Sequence, residues 1–180
     1  VKRRNRIVDA AVEMMIDVDY GDIQVKDVAA RAEVALGTLY RYFGSKEHLM
    51  ATALVQWSAA FRRVSTAPAD GALSAIEQVK LVYQRAARAF ERQPRVFGAL
   101  VQVQASTDPL AAEVYGEFSE LQLEAFGAAL ADLPAETGDD IVDVMSAVLS
   151  EGLRNCQSGR IPRAELRRRL DRAAELLVPD

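Results

Sequence analysis

The residues from Leu36 to Lys46, LGTLYRYFGSK, concentrate groups able to recognise a polyanion. Thr38 offers a hydroxyl and a methyl to base edges, and Gly37 permits close approach of the backbone. Tyr40 and Tyr42 can donate to phosphate, and Arg41 can do so with a full charge. Lys46 follows at the start of another helix, where free amides and a cation together favour a phosphate. Four more cations, Lys2, Arg3, Arg4 and Arg6, crowd the front of the chain. At a helix start they oppose the macrodipole, an arrangement that makes sense if a polyanion compensates it.

No comparable set points to catalysis. The single histidine, His48, reads as an exposed residue opening a helix, and the single cysteine, Cys156, as a small core filler. Neither has nucleophile or metal-ligand spacing, and there is no glycine-rich phosphate loop, so neither enzyme chemistry nor a metal or cofactor is expected. The lone cysteine also suits a reducing compartment.

The chain has 22 Lys plus Arg against 26 Asp plus Glu, a net charge of −4, so any nucleic-acid contact must be local. Over residues 1–48 the balance is eight basic to eight acidic, which requires the carboxylates to face away from the basic ones. With 180 residues, half of them apolar, the chain is expected to be globular, of one or two domains. It has no apolar run of the roughly 18 residues that would span a bilayer and no leader-like front segment. A cytoplasmic, bacterial location is expected.

Apolar residues recur three and four apart throughout, with Gly and Pro as punctuation, which predicts an all-α fold of about nine helices. The first runs from about Lys2 to Val18, with Ile7, Ala11, Met14, Met15 and Val18 on one face. Two short helices, Val25 to Ala32 and Leu36 to Phe43, flank a tight turn at Glu33-Val34-Ala35, a helix-turn-helix layout with Leu39 and Phe43 pointing inward. Gly44 reads as a helix stop and Ser45 as an N-cap. Helix 4, about 46–64, carries Leu49, Ala53, Leu54, Trp57, Phe61 and Val64 as its apolar stripe. Further helices are expected at about Leu73 to Arg92, Arg95 to Ala105, Leu110 to Ala131, Asp139 to Gln157 and Arg163 to Leu177, with Leu133-Pro134 and Gly138 among the breaks.

Over about residues 5–50, and above all in GTLYRYFGSKEHL, the sequence resembles the TetR family of bacterial transcriptional regulators. The resemblance implies a three-helix DNA-binding domain at 1–48 and a helical ligand-binding and dimerisation domain at 49–180, with helix 4 as the link. It places Gly37, Thr38, Tyr40, Tyr42 and Lys46 on DNA, beside Lys2, Arg3, Arg4, Gln24, Leu36 and Arg41. Two departures stand out. Gln24 occupies a capping position that usually holds Thr, and Glu33 a turn position that often holds Gly. The first caps poorly and the second, if left-handed, carries strain. Together with the segment FERQP ending at Pro94, the motif is similar to the mycobacterial and rhodococcal repressors of cholesterol and steroid catabolism.

In the C-terminal half, Trp57, Phe61, Tyr83, Phe90, Phe97, Leu100, Val101, Gln104, Tyr115, Phe118, Met145 and Leu149 could line a pocket for a hydrophobic effector, steroid or acyl-CoA-like. Any one of them could equally fill a core. Arg85, Arg88, Arg92 and Arg95 share a helix face that reads as a solvated, ion-paired surface, or as a rim for an acidic effector. Ile141, Val144, Met145, Val148, Leu149 and Leu153 span too wide an arc for one buried side, and Leu166, Leu170, Ala173 and Leu177 form a heptad-like seam. A homodimer interface of Ile141, Val144, Val148, Leu166, Leu170, Ala173 and Leu177 is expected. The function that follows is a ligand-released repressor on a pseudo-palindromic DNA operator. The alternative is an all-helical module whose helix-turn-helix docks a protein, with weak salt dependence.

Overall fold

The computed structural model of the protein describes residues 2–65, 73–117, 130 and 133–178, with side chains at all of these except 60–65 and 135. Among the described residues there are helices and no strand. They are α1 (Lys2–Asp17), α2 (Val25–Arg31), α3 (Leu36–Tyr42), α4 (Lys46–Ser65), α5 (Ala75–Arg92), α6 (Pro94–Gln104), α7 (described over 109–117), α8 (Ala135–Gln157) and α9 (Arg163–Leu177). No described helix is long and apolar enough to cross a membrane. The chain forms two compact units, Val1–Phe61 with Gln93–Glu120 and Arg62–Arg92 with Leu121–Asp180.

In the first unit α1 buries Ile7, Ala11, Met14 and Met15 at the expected spacing, and α1 packs on α2, α3 and α6. Helices of seven residues are too short to hold alone, so α2 and α3 depend on that packing. Val28, Ala29 and Ala32 are buried, as are Leu39 and Phe43. The turn between the two helices is a Schellman motif: the Val34 amide donates to the Ala29 carbonyl and the Glu33 amide to that of Ala30. Glu33 takes the left-handed position at φ 53°, the strain foreseen for a non-glycine residue there. Gln24, at the N-cap of α2, makes no side-chain capping bond. Ser45 caps α4 by accepting from the His48 amide at 2.9 Å, and the Gly44 amide donates to His48 Nδ1 at 3.3 Å.

In the second unit α5, α8 and α9 pack on one another. Tyr83 is fully buried, and its hydroxyl donates to the Val142 carbonyl at 3.0 Å. Burial raises its pKa. Leu166 and Leu170 on α9 are fully buried, and the Leu166 side chain sits directly against Gly152 of α8. The turn at the end of α8 repeats the Schellman pattern, with Gly159 left-handed at φ 71°.

Two helix starts differ from expectation. α5 begins at Ala75 because Ser74 and Glu77 form a reciprocal capping box: each side chain accepts from the other residue's amide. α8 begins at Ala135, not Asp139, because the Gly138 amide closes a first helical turn on the Pro134 carbonyl. Gly138 is thus inside the helix. The wide apolar arc of α8 also resolves: Ile141, Val142, Met145, Leu149 and Leu153 are buried, while Val144 remains 45% exposed.

Candidate nucleic-acid interface

α3 separates its two sides sharply. Leu39 and the following Phe43 are inaccessible, whereas Leu36 and Tyr40 are 42% and 50% exposed. Gly37 and Arg41 are exposed, and Thr38 and Tyr42 are half-buried. A Cβ placed on Gly37 would meet nothing within 4 Å. No internal packing therefore requires glycine there, and the bare backbone is available to a body outside the chain. Gln24, at the start of α2, is also exposed.

The basic start of α1 reaches both ends of α3. The Arg4 guanidinium lies 5.3 Å from the centre of the Phe43 ring, and Arg6 is 3.6 Å from the Glu33 carboxylate in the turn. Lys2, Arg3 and Arg4 are exposed. The carboxylates of this unit are largely engaged elsewhere. Arg31 faces Glu13 and Asp17, Arg95 pairs with Asp19 at 3.1 Å, and Gln56 donates to Asp9. Segregation of charge on a chain with a net negative total is what a local polyanion contact needs. Glu33 stays a carboxylate beside α3.

Lys46 has a different environment from the free phosphate-facing cation of the sequence reading. Its ammonium donates to the Tyr20 carbonyl at 2.6 Å and lies 4.3 Å over the Tyr20 ring. Burial lowers its pKa, against the opposing pull of Glu47 and Asp22. Tyr20 is pushed up to about 12 by burial, then by the charge and hydrogen bond of Glu47. This anchor was invisible in the sequence, because the partners are 26 residues apart and no period links them. Asp108 is a second such residue. Its carboxylate accepts from the Ala111 amide at 2.8 Å and from the Ser45 hydroxyl, which hold it below the usual carboxylate range. It therefore caps α7 and touches the start of α4 at once. A polar depression of about 500 Å³ opens between Tyr20, Glu47, Gln102 and residues 105–108.

The residues expected to face an effector fall into both units. In the first, Trp57, Phe97 and Leu100 are buried, Val101 is half-buried, and the Gln104 amide donates to the Tyr115 hydroxyl at 2.6 Å. The Trp57 indole donates to Gln93. In the second, Tyr83, Phe90, Met145 and Leu149 are buried. The Phe61 side chain and Phe118 lie outside the described residues. Of the arginine face, Arg88 bonds Gln84 and Arg95 pairs with Asp19, while Glu91 is taken by Arg167 and not by a neighbour on its own helix.

The residues expected at a dimer interface also separate. Ile141, Leu166 and Leu170 are covered by their own unit and present almost no surface. Val148, Ala173 and Leu177 are half-buried. Val144 and Leu176 are the large apolar residues that α8 and α9 expose, Leu176 at 67%. The seam drifts because core positions on α9 step by four, from Leu166 through Leu170 and Ala174 to Val178. Among the described residues no cluster of metal-ligating side chains occurs.

Residues 7–53 match the family of bacterial regulatory proteins of the TetR type, and residues 73–177 match the tetracyclin repressor-like C-terminal domain. The HTH-type transcriptional repressor KstR of Rhodococcus jostii is 32% identical, over 99% of this chain and 84% of its own length. That of Mycobacterium tuberculosis is 31% identical, over 99% and 82%. A TetR transcriptional regulator from a Rhodococcus species superposes with a TM-score of 0.78 at 27% identity, over 99% of this chain and 97% of its own. FadR of Bacillus subtilis, in a complex with stearoyl-CoA, shares the fold with a TM-score of 0.71 at 19% identity, over 97% of both chains.

Proposed function

The chain belongs to the TetR family of bacterial transcriptional regulators, and on that premise we propose that it is a dimeric repressor whose α3 reads a pseudo-palindromic operator and which a hydrophobic effector releases. The observation that carries the reading is the outer side of α3. Gly37 faces open space, Thr38, Tyr40 and Tyr42 are accessible, and the cations of α1 stand at both ends. In this reading residues 1–48 bind DNA, residues 49–180 sense the effector and dimerise, and α4 joins the two. Two copies of α3 spaced about one turn of DNA apart, roughly 34 to 36 Å, meet successive major grooves. An effector that prefers the other spacing by about 5.5 kcal/mol inverts a 99:1 population in favour of release. The apolar, aromatic character of the buried residues in both units supports an effector of steroid or acyl-CoA-like chemistry.

The test is to select a duplex from random sequence with the wild-type protein and to measure its affinity for Thr38→Ala and Tyr42→Phe variants across a salt series. Loss of the base contact at Thr38 should cost about 1–3 kcal/mol and flatten the sequence preference, while Tyr42→Phe should weaken all duplexes alike. Affinity should also fall steeply with salt. Binding that is indifferent to both substitutions and to salt would remove α3 from the DNA and favour a protein-docking role for the same surface.

A further inference from the structure

Five large apolar residues stand exposed among the described residues, and two of them, Leu36 and Tyr40, belong to the seven-residue α3. A single exposed leucine is ordinary on a protein surface. These two form a strip. They are four residues apart, hence one above the other on the same side of the helix, about 6 Å apart along its axis. Gly37 adjoins Leu36, and a Cβ there would meet none of the described residues within 4 Å, so the backbone beside the strip is uncovered as well.

The chemistry of this side is narrow. In order, α3 reads Leu-Gly-Thr-Leu-Tyr-Arg-Tyr. It has no Asn or Gln to bond an adenine edge at two points, and no Asp or Glu to accept from a cytosine amine. Its one cation, Arg41, is in the last turn, and Thr38 and Tyr42 are half-buried. At the first position of the helix, where a motif of this kind meets base edges, the chain presents an isobutyl group with no donor and no acceptor. Such a group cannot read a hydrogen-bond pattern. It responds only to shape and to carbon, and in the major groove thymine alone among the four bases carries a methyl group.

The flanks of the strip are the reverse. Lys2, Arg3 and Arg4 are exposed, the Arg4 guanidinium lies 5.3 Å from the Phe43 ring just beyond α3, and Arg6 stands at the turn before it. Cations at both ends with an apolar centre match a groove whose walls are phosphate and whose floor is base edges. A leucine set against phosphate gains nothing. Against a thymine methyl it takes carbon out of water on both partners.

Resting on the DNA-reading role given to α3 above, we propose that Leu36 is a specificity-determining residue that selects thymine by its 5-methyl group, at one position in each half of the operator. The ring of Tyr40 borders the same contact and leaves its hydroxyl for phosphate. This preference is carried by burial and not by hydrogen bonding, so it is modest at each position and is multiplied by the two-fold repeat of the site.

The test removes the methyl and nothing else. The duplex selected from random sequence is resynthesised with deoxyuridine in place of thymidine, one symmetric pair of positions at a time, and titrated with the wild-type chain and with Leu36→Ala. Uracil keeps every hydrogen-bonding group of thymine. One such pair should weaken the wild type about tenfold, each methyl contributing roughly three- to fourfold. Leu36→Ala should bind the thymidine and deoxyuridine forms of that duplex within about twofold of each other. Because Leu36 is exposed and alanine is the better helix former, the variant keeps its fold, and the deoxyuridine series on the wild type needs no variant at all. A selected duplex in which no deoxyuridine pair matters overturns the methyl contact while α3 remains a DNA reader. An effect of the same size in Leu36→Ala gives the methyl to another group and overturns the role of Leu36. If neither protein prefers any duplex over random DNA, the DNA reading of α3 falls, and this inference with it.

Discussion

Gly37 and Gly152 both lie inside helices, where glycine is less favourable than alanine by roughly 0.5–1 kcal/mol. At Gly152 the missing side chain leaves room that Leu166 occupies, so α9 can approach α8 closely. A Cβ added at Gly37 would meet none of the described residues within 4 Å. One vacancy is filled internally and earns its place through stability. The other is open space, as it is at Gly98 and Gly116 of the same unit. The same residue type thus serves packing at position 152 and leaves open backbone at position 37, and the surroundings of the Cβ position tell the two apart.

Alanine at each position separates the two roles. Gly152→Ala drives a methyl into the fully buried Leu166 side chain; urea unfolding should show a loss of about 1–2 kcal/mol after the gain in helix propensity. Gly37→Ala should do the reverse. The melting temperature should hold or rise, while affinity for the selected duplex drops about tenfold, close to 1.4 kcal/mol. An alanine at position 37 that leaves DNA binding untouched breaks the comparison.

The two Schellman turns sharpen it at smaller scale. Both place one residue in the left-handed region, Gly159 in one hairpin and Glu33 in the other. Glu33→Gly relieves strain worth roughly 1 kcal/mol, and the exposed pair with Arg6 offsets little of it. The variant should be more stable in thermal unfolding. It should also bind DNA more tightly, because a carboxylate beside α3 disappears and Arg6 is released. Gly159→Ala should lose stability by a similar amount, with no gain elsewhere.

The smallest effect concerns acid. Hydrogen bonds from Arg168 and Arg169 hold the Glu165 carboxyl down to about 2, against an ordinary 4.5. A folded-state value below the unfolded one contributes stability that is complete above about 4.5 and fades as the pH falls toward 2. The melting-temperature difference between wild type and Glu165→Gln should therefore be small but present at neutral pH and shrink steadily below 4.5. A difference that grows on acidification contradicts this assignment.

Much of the reading head was legible because its determinants are local. The inward Leu39 and Phe43, the Ser45 cap, the uncapped Gln24 and the left-handed Glu33 all follow from residues within a turn or two of one another. What the sequence did not disclose is what holds this head from a distance: Tyr20 beneath Lys46, Arg4 on Phe43, and Asp108 on Ser45. The capping box of Ser74 and Glu77, a local Ser-x-x-Glu spacing, sets the start of α5 two residues later than the apolar pattern alone implies. On α9 the spacing marks Leu166 and Leu170 as apolar positions, but spacing does not declare which helix covers them, and their own unit does.

By itself the sequence determined the all-helical fold, the helix-turn-helix and the residues of its outer side, because helical period, caps and turns are set by neighbours a few residues apart. Only the tertiary structure decided which apolar faces α5, α8 and α9 use on each other, and that Lys46 turns to Tyr20. It also left Val144 and Leu176 outside. Burial and long-range pairing depend on how distant segments meet, and a chain read residue by residue contains no record of that meeting.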